Sequence, residues 1–250
     1  MSIEKYGIIT IEYKVTDSTN ERAKVYAGES WNGEPMLFIA EEQTNGRGRY
    51  SRKFHSKSGA GVYLSLLFKP NNDINNIVPV TALSAMSMVK AIEEQVNTDV
   101  KIKWVNDLIL GERKLGGILI EGMVNPESKT YDYLIAGIGV NLYSTKLDEE
   151  IKSIATSLED ETGEKIEKIT LVRAFVRHFI EGLNSLDSDE LFDEYRERLI
   201  TLGKDVTVKT VTEEYDATAL CLNRDYSISV ITQNGEKKRI YTGEVSVKLK

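Results

Sequence analysis

A single cysteine, Cys221, stands in 250 residues, so no intramolecular disulfide can form and a reducing compartment is expected. The stretch MSIEKYGIITIEYKV lacks the charged, then apolar, then small layout of a secretory signal. Both absences point to a cytoplasmic protein. No apolar run approaches the roughly 20 residues a bilayer-spanning helix needs, so no membrane role is expected. Basic excess is missing too: 32 Lys and Arg face 39 Asp and Glu, giving a net charge of −7 and a sequence pI of about 5.2. A broad electrostatic grip on nucleic acid is thereby excluded, and any anion site must be local. No repeat or low-complexity segment interrupts the chain. With only four prolines, 41% hydrophobic and 28% charged residues, the balance is that of an ordinary globular protein. Its length allows one large domain or a large domain with a small appendage.

Alternating and apolar runs predict strands at Ile8 to Val15, Met36 to Ala40, Gly61 to Phe68, Val100 to Trp104, Leu108 to Leu110, Lys114 to Glu121 and Tyr131 to Ile138. Ser18 followed three places later by Glu21 has capping-box spacing, so a helix should run from there to about Ala27. Apolar residues at helical spacing from Val78 to Val96 predict a long amphipathic helix packed on a sheet. Leu171 to Leu186 and Ser188 to Leu202 read as two more helices. After Leu202 and Gly203 only short strands follow: Asp205 to Thr210, Tyr215 to Leu222, Tyr226 to Thr232, Lys237 to Tyr241 and Val245 to Leu249. The expected organisation is an α/β domain with a mixed sheet over residues 1–202 and a small β unit over residues 203–250.

Three clusters carry candidate chemistry. In Gln43-Thr44-Asn45-Gly46-Arg47-Gly48-Arg49-Tyr50-Ser51-Arg52-Lys53-Phe54, four cations fall within seven residues of an acidic chain. Glycines that let backbone approach a ligand, and arginines that fork onto oxygens, suit a phosphate or adenylate clamp. A solvated basic loop is the alternative, and a Walker-type P-loop is ruled out because no Lys-Ser or Lys-Thr follows in register. The second cluster, Lys103-Trp104-Val105-Asn106-Asp107, leads through a tight turn at Gly111-Glu112 to Lys114-Leu115-Gly116-Gly117. That hairpin would return Lys114 beside Asn106 and Asp107; an Asx turn with a solvent-facing lysine is the plainer reading. The third, Ala136-Gly137-Ile138-Gly139-Val140-Asn141, has strand glycines that mark either close approach of a ligand or a bulge. Ser18-Thr19-Asn20 either caps its helix or meets a neutral polar ligand group.

DSTN, EEQTNGRGRYSRKF, KWVNDL with ERKLGGILIE, and AGIGVN, in this order and spacing, resemble the biotin protein ligase family, and Gly243-Glu244-Val245-Ser246 is similar to that family's C-terminal signature. The resemblance covers nearly the whole chain. It implies a biotin/lipoate-ligase catalytic domain followed by a small SH3-like β-barrel, in the short form without an N-terminal DNA-binding domain. The activity implied is formation of biotinyl-5'-AMP from biotin and ATP with Mg2+, then transfer to a lysine of a biotin carboxyl carrier domain. Partners implied are that carrier domain and no nucleic acid, with a homodimer allowed. By the same resemblance Ser18, Thr19, Asn20, Gln43, Gly46, Arg47, Gly48, Arg49, Lys114, Gly117 and Gly137 line the biotin site. Arg47, Arg49, Arg52, Phe54, Asn106, Lys114 and Asn141 meet the nucleotide, and Lys114, Arg49 and Asp107 are catalytic. Phe54 stands where the family usually has tryptophan, Val105 where it has proline, and Ser51 where glycine is frequent. A lipoate or octanoate transferase is a rival, against which the Gly-Arg-Gly-Arg loop and the Lys-Trp-x-Asn-Asp motif argue; a biotin sensor without catalysis is another, against which Arg47, Arg49 and Lys114 argue.

Overall fold

The computed structural model describes residues 7–29, 31–70, 77–143, 149–210, 212–241 and 243–247. The expected strand end at Leu249 lies outside the described residues. Seven strands make the first sheet: β1 (Ile9–Tyr13), β2 (Met36–Ala40), β3 (Gly61–Phe68), β4 (Lys101–Lys103), β5 (Asp107–Leu110), β6 (Arg113–Val124) and β7 (Tyr131–Asn141). Their order is β1-β2-β3-β7-β6-β5-β4. β1 and β2 run parallel and the other neighbours antiparallel, so the sheet is mixed. The parallel pair needs a crossover, and α1 (Thr19–Glu29) supplies it. One face of the sheet meets α1 through Ala23, Met36, Phe38, Leu67 and Ile135. The other face meets α2 (Val78–Glu93), which is in turn covered by α4 (Lys168–Gly182) and α5 (Asp189–Arg198). β3, covered on both faces, is buried along its whole length.

Besides shifts of a few residues at other ends, such as α4 stopping at Gly182 and not Leu186, three departures from the sequence-based expectation have a physical reason. α2 is buried almost all round rather than amphipathic, because it lies between the sheet and two further helices. Two of its internal hydroxyls turn back onto the helix, with Thr81 donating to the Ile77 carbonyl at 3.0 Å and Ser84 to Val80 at 2.7 Å. The last helix stops at Arg198, not Leu202, because the chain then extends along the edge strand: Ile200 N–H donates to the Ile102 carbonyl at 3.0 Å. A short helix, α3 (Leu158–Thr162), was not expected; the Ser157 side chain caps it by accepting from the Asp160 N–H at 3.2 Å.

Five antiparallel strands form the second sheet: β8 (Asp205–Lys209), β9 (Glu214–Leu222), β10 (Ile228–Thr232), β11 (Lys237–Ile240) and β12 (Glu244–Val247), in the order β11-β10-β9-β8-β12. Four strands meander and the fifth returns beside the first, as in SH3-like units. This sheet is fastened to the rest through the Trp104 indole N–H, which donates to the Tyr226 carbonyl at 2.9 Å, and through ring contacts of Tyr226 with Phe192 and Tyr195. One continuous apolar cluster runs through both sheets.

Phe179 is fully buried between Phe68 and Phe175 at ring separations of 5.2 and 5.8 Å. Phe179→Ala is expected to cost about 3–5 kcal/mol of stability, the range for a truncated core aromatic. Urea unfolding at neutral pH checks it; a loss under about 1 kcal/mol would show that the core around it repacks freely.

Candidate active site

The turn between β1 and α1 is held by Asp17, whose carboxylate accepts from the Ser18 N–H at 2.7 Å and the Thr16 hydroxyl at 3.0 Å and pairs with Arg22 at 2.8 Å. Burial alone would raise the Asp17 pKa, but these donors and the Arg22 charge hold it below the usual carboxylate range. The fixed turn brings Ser18, Thr19 and Asn20 to a cavity wall in buried positions. Gln43 Oε1 accepts from the Thr19 N–H at 2.8 Å and lies 3.1 Å from the Thr19 hydroxyl oxygen, while Gln43 Nε2 donates to Ser56 Oγ at 2.9 Å. Gly137 on β7 faces Asn20 so closely that a Cβ there would overlap the Asn20 amide.

The basic loop folds as an irregular hairpin over this floor. Gln43 N–H donates to Ser56 O at 2.9 Å, Phe54 N–H to Gly46 O at 2.9 Å, and Gly48 N–H to Arg52 O at 2.7 Å. At its tip a 3-10 turn, Arg49–Ser51, places Tyr50 at φ 55°. Arg47 pairs with Glu21 at 3.2 Å. Arg49 donates to Asn106 Oδ1 at 3.0 Å, to the Tyr50 hydroxyl at 3.1 Å and to the Gly243 carbonyl at 2.5 Å. Arg52 forks onto Glu244 at 3.0 and 2.5 Å. The loop is thus tied to the second sheet.

At the far end, β5 and β6 form the expected hairpin, and Lys114 Nζ lies 2.6 Å from Asp107 Oδ1. Asn106 donates from Nδ2 to the Ile118 carbonyl at 2.8 Å, leaving its oxygen for Arg49. Asn141 spends Nδ2 on the Thr156 carbonyl at 3.0 Å. Phe54 packs edge-on against Tyr63 and covers Gly139.

One cavity of about 770 Å³ unites these parts, a size that suits a ligand of drug-like dimensions or larger. Ser18, Thr19, Asn20, Gln43, Arg47, Gly48, Arg49, Arg52, Phe54, Asn106, Asp107, Lys114, Gly117, Gly137 and Asn141 all line it. Gly46 does not. A Cβ at Gly46 would overlap the Phe54 carbonyl and Ser56 Oγ and crowd Gln43 Nε2, so its lack of a side chain lets the hairpin close on itself. Lys103, Tyr50 and Glu244 also line the wall; the KWVND and GEVS motifs contain two of them, but neither motif marks them as facing a cavity.

Residues 12–141, just over half of the chain, match the biotin/lipoate A/B protein ligase family. The chain belongs to that family. Among its relatives is the bifunctional ligase/repressor BirA of Bacillus spizizenii, 30% identical over 99% of this chain and 76% of that protein. The biotin--[acetyl-CoA-carboxylase] ligase of Mycobacterium tuberculosis is 28% identical over 78% of this chain and 72% of its own. The structure of the biotin protein ligase from Aquifex aeolicus in complex with biotin and ATP superposes with a TM-score of 0.80 at 28% identity, covering 97% of this chain and 99% of that one. No helix among the described residues is long and apolar enough to cross a membrane.

In this family member the link between loop and second sheet should respond to acid. Burial works to raise the Glu244 pKa, but the hydrogen bond and charge of Arg52, together with Lys103, hold it below its ordinary value of 4.5. A depressed carboxylate stabilises the fold fully above the unfolded value and loses that contribution as pH falls through the folded one. Comparing thermal midpoints of wild type and Glu244→Gln between neutral pH and pH ~3 should show a gap that is full at neutral pH and closes in acid. A gap that is the same at both ends would mean that the charge of Glu244 contributes nothing.

Proposed function

We propose that this protein is an ATP-dependent biotin protein ligase: it joins biotin to AMP and passes biotin to a lysine of a biotin carboxyl carrier domain. The observation that carries this is a single cavity with a neutral, hydrogen-bonding floor at Ser18, Thr19, Asn20 and Gln43 and a cationic rim at Arg47, Arg49, Arg52 and Lys114. A ureido ring has both N–H donors and a carbonyl to satisfy such a floor. A dithiolane has neither, and would leave buried polar groups without partners, a defect that can discriminate by about 10⁴ or more. The names of the relatives above agree with the biotin reading over the lipoate one.

The chemistry follows from the charges. The biotin carboxylate oxygen attacks the α-phosphorus of ATP, the bond to pyrophosphate breaks, and a mixed anhydride forms. Two anions must meet, so cations in a water-poor cleft set the rate. Lys114, on leaving Asp107, and Arg49, on leaving Gly243, would supply that charge. Among the described residues no group of three or more His, Cys, Asp or Glu side chains gathers as a metal site. Magnesium would therefore be held mainly by the nucleotide phosphates, as is usual for this ion, with Asp107 among the wall carboxylates available to it, and would offset phosphate charge. The acceptor lysine amine then attacks the acyl carbon, AMP leaves, and Asp107 takes the amine proton. Incubating pure protein with ATP, magnesium and either biotin or lipoate, and reading the acyl adenylate by mass spectrometry, tests the proposal. A lipoyl adenylate in place of a biotinyl one, or neither, would overturn it.

A further inference from the structure

Behind the cavity floor, polar side chains join in one chain from the surface to the ligand wall. Lys24 Nζ lies 2.7 Å from Glu121 Oε1 and 3.0 Å from Glu21 Oε1. Glu121 Oε2 accepts from Asn20 Nδ2 at 2.7 Å. Asn20 Oδ1 accepts from Ser65 Oγ at 2.5 Å, and Ser65 Oγ lies 2.7 Å from Thr19 Oγ1. Thr19 leads on to Gln43. Lys24, Glu121 and Ser65 are not on the cavity wall, whereas Thr19, Asn20 and Gln43 are.

Proton accounting along this chain has one solution at its head. A carboxylate can only accept, so Glu121 must meet the NH2 of Asn20, and the amide oxygen must then face Ser65. Ser65 has a single proton, and the oxygen of Asn20 has none to offer, so that proton goes to Asn20. The contact between Ser65 and Thr19 is then made with the Thr19 proton, which leaves Gln43 Oε1 a lone pair not engaged by the Thr19 hydroxyl. We propose that Glu121, steadied by Lys24, is a positioning residue that sets the hydrogen-bond polarity of the floor, so that Gln43 presents an acceptor oxygen to an N–H of the ligand ring. The inference rests on the biotin reading above and names how that site prefers a ring bearing N–H groups.

A double-mutant cycle on the full chain tests it, with biotin binding followed by titration calorimetry and thermal midpoints recorded in parallel. In Glu121→Gln the new amide can present either end, Asn20 loses its fixed orientation, and biotin Kd should rise roughly ten- to a hundredfold, the effect of losing a charged hydrogen bond. KM for ATP and kcat at saturating biotin should hold within about threefold. Asn20→Asp alone sets two carboxylates against each other and should weaken binding at least as much. In the pair Asn20→Asp/Glu121→Gln the introduced glutamine donates to the introduced carboxylate, which still accepts from Ser65, so the original polarity returns and most of the affinity with it. A pair no tighter than its weaker single variant, or single variants that bind like wild type, would overturn the inference while leaving the biotin reading intact. Wild-type protein that binds no biotin would overturn both.

Discussion

Lys114→Ala should lower the rate of adenylate formation by about 10²- to 10³-fold, the usual cost of removing one preorganised charge from a developing anion, while biotin affinity changes far less. The asymmetry follows from where Lys114 sits. Its ammonium rests 2.6 Å from Asp107 on the β5–β6 hairpin, not among the floor residues Ser18, Thr19, Asn20 and Gln43, so its contacts are made late, as phosphate and carboxylate converge. The variant has a second fault, since Asp107 is left as an uncompensated anion facing an anionic nucleotide. Lys114→Ala/Asp107→Ala should therefore recover part of the lost adenylation but none of the transfer to a carrier lysine. Pyrophosphate release measured beside biotin binding decides the matter; unchanged release in the single variant would remove Lys114 from the chemistry.

The second expected result is that Arg49→Gly still makes biotinyl adenylate but lets it escape, so that lysines of unrelated proteins become labelled. Arg49 reaches Asn106, Tyr50 and Gly243 from the tip of the loop, which puts its guanidinium where it can turn onto a phosphate by forked hydrogen bonds. Glycine offers no such bond and adds backbone freedom to a loop that must order on closing. Losing about 1.5–3 kcal/mol of charge-assisted bonding corresponds to escape roughly ten- to a hundredfold faster. Mixing the variant with ATP, biotin and a bystander lacking any acceptor domain reads this directly. An unlabelled bystander, with adenylate still produced, would mean that another residue retains the intermediate.

What could be read from the chain and what could not divides by sequence separation. The Asp107 and Lys114 hairpin, seven residues across, was legible because strand period and turn residues determine it locally. The floor residues Thr19 and Asn20 were legible as a motif, but their partners were not: Glu121 lies 101 residues from Asn20, and Ser65 lies 45 away. Nothing in the pattern around Glu121 distinguishes it from any charged residue on a strand. At Gly46 the structure brings the Phe54 carbonyl close, which the sequence does not announce, since a glycine reports a close approach without naming what approaches. The parallel pairing of β1 with β2 and the position of β7 in the middle of the sheet are likewise tertiary facts. α3 was missed because it has only five residues, although Ser157 and Asp160 carry its cap.

Arg52 and Glu244 are separated by 192 residues. A ribosome adding roughly 5 to 20 residues per second takes on the order of 10 to 40 s to cover that distance. Once Lys114 has been added, and until Glu244 follows, the nascent chain holds Ser18, Thr19, Asn20 and Gln43, its Asp107 and Lys114 hairpin and the arginines of the basic loop, but Arg52 has no carboxylate on the second sheet to fasten to. The tie between rim and second sheet is therefore the last piece of the cavity to be assembled, and a polypeptide still being synthesised holds a half-built pocket whose Arg52 guanidinium faces water.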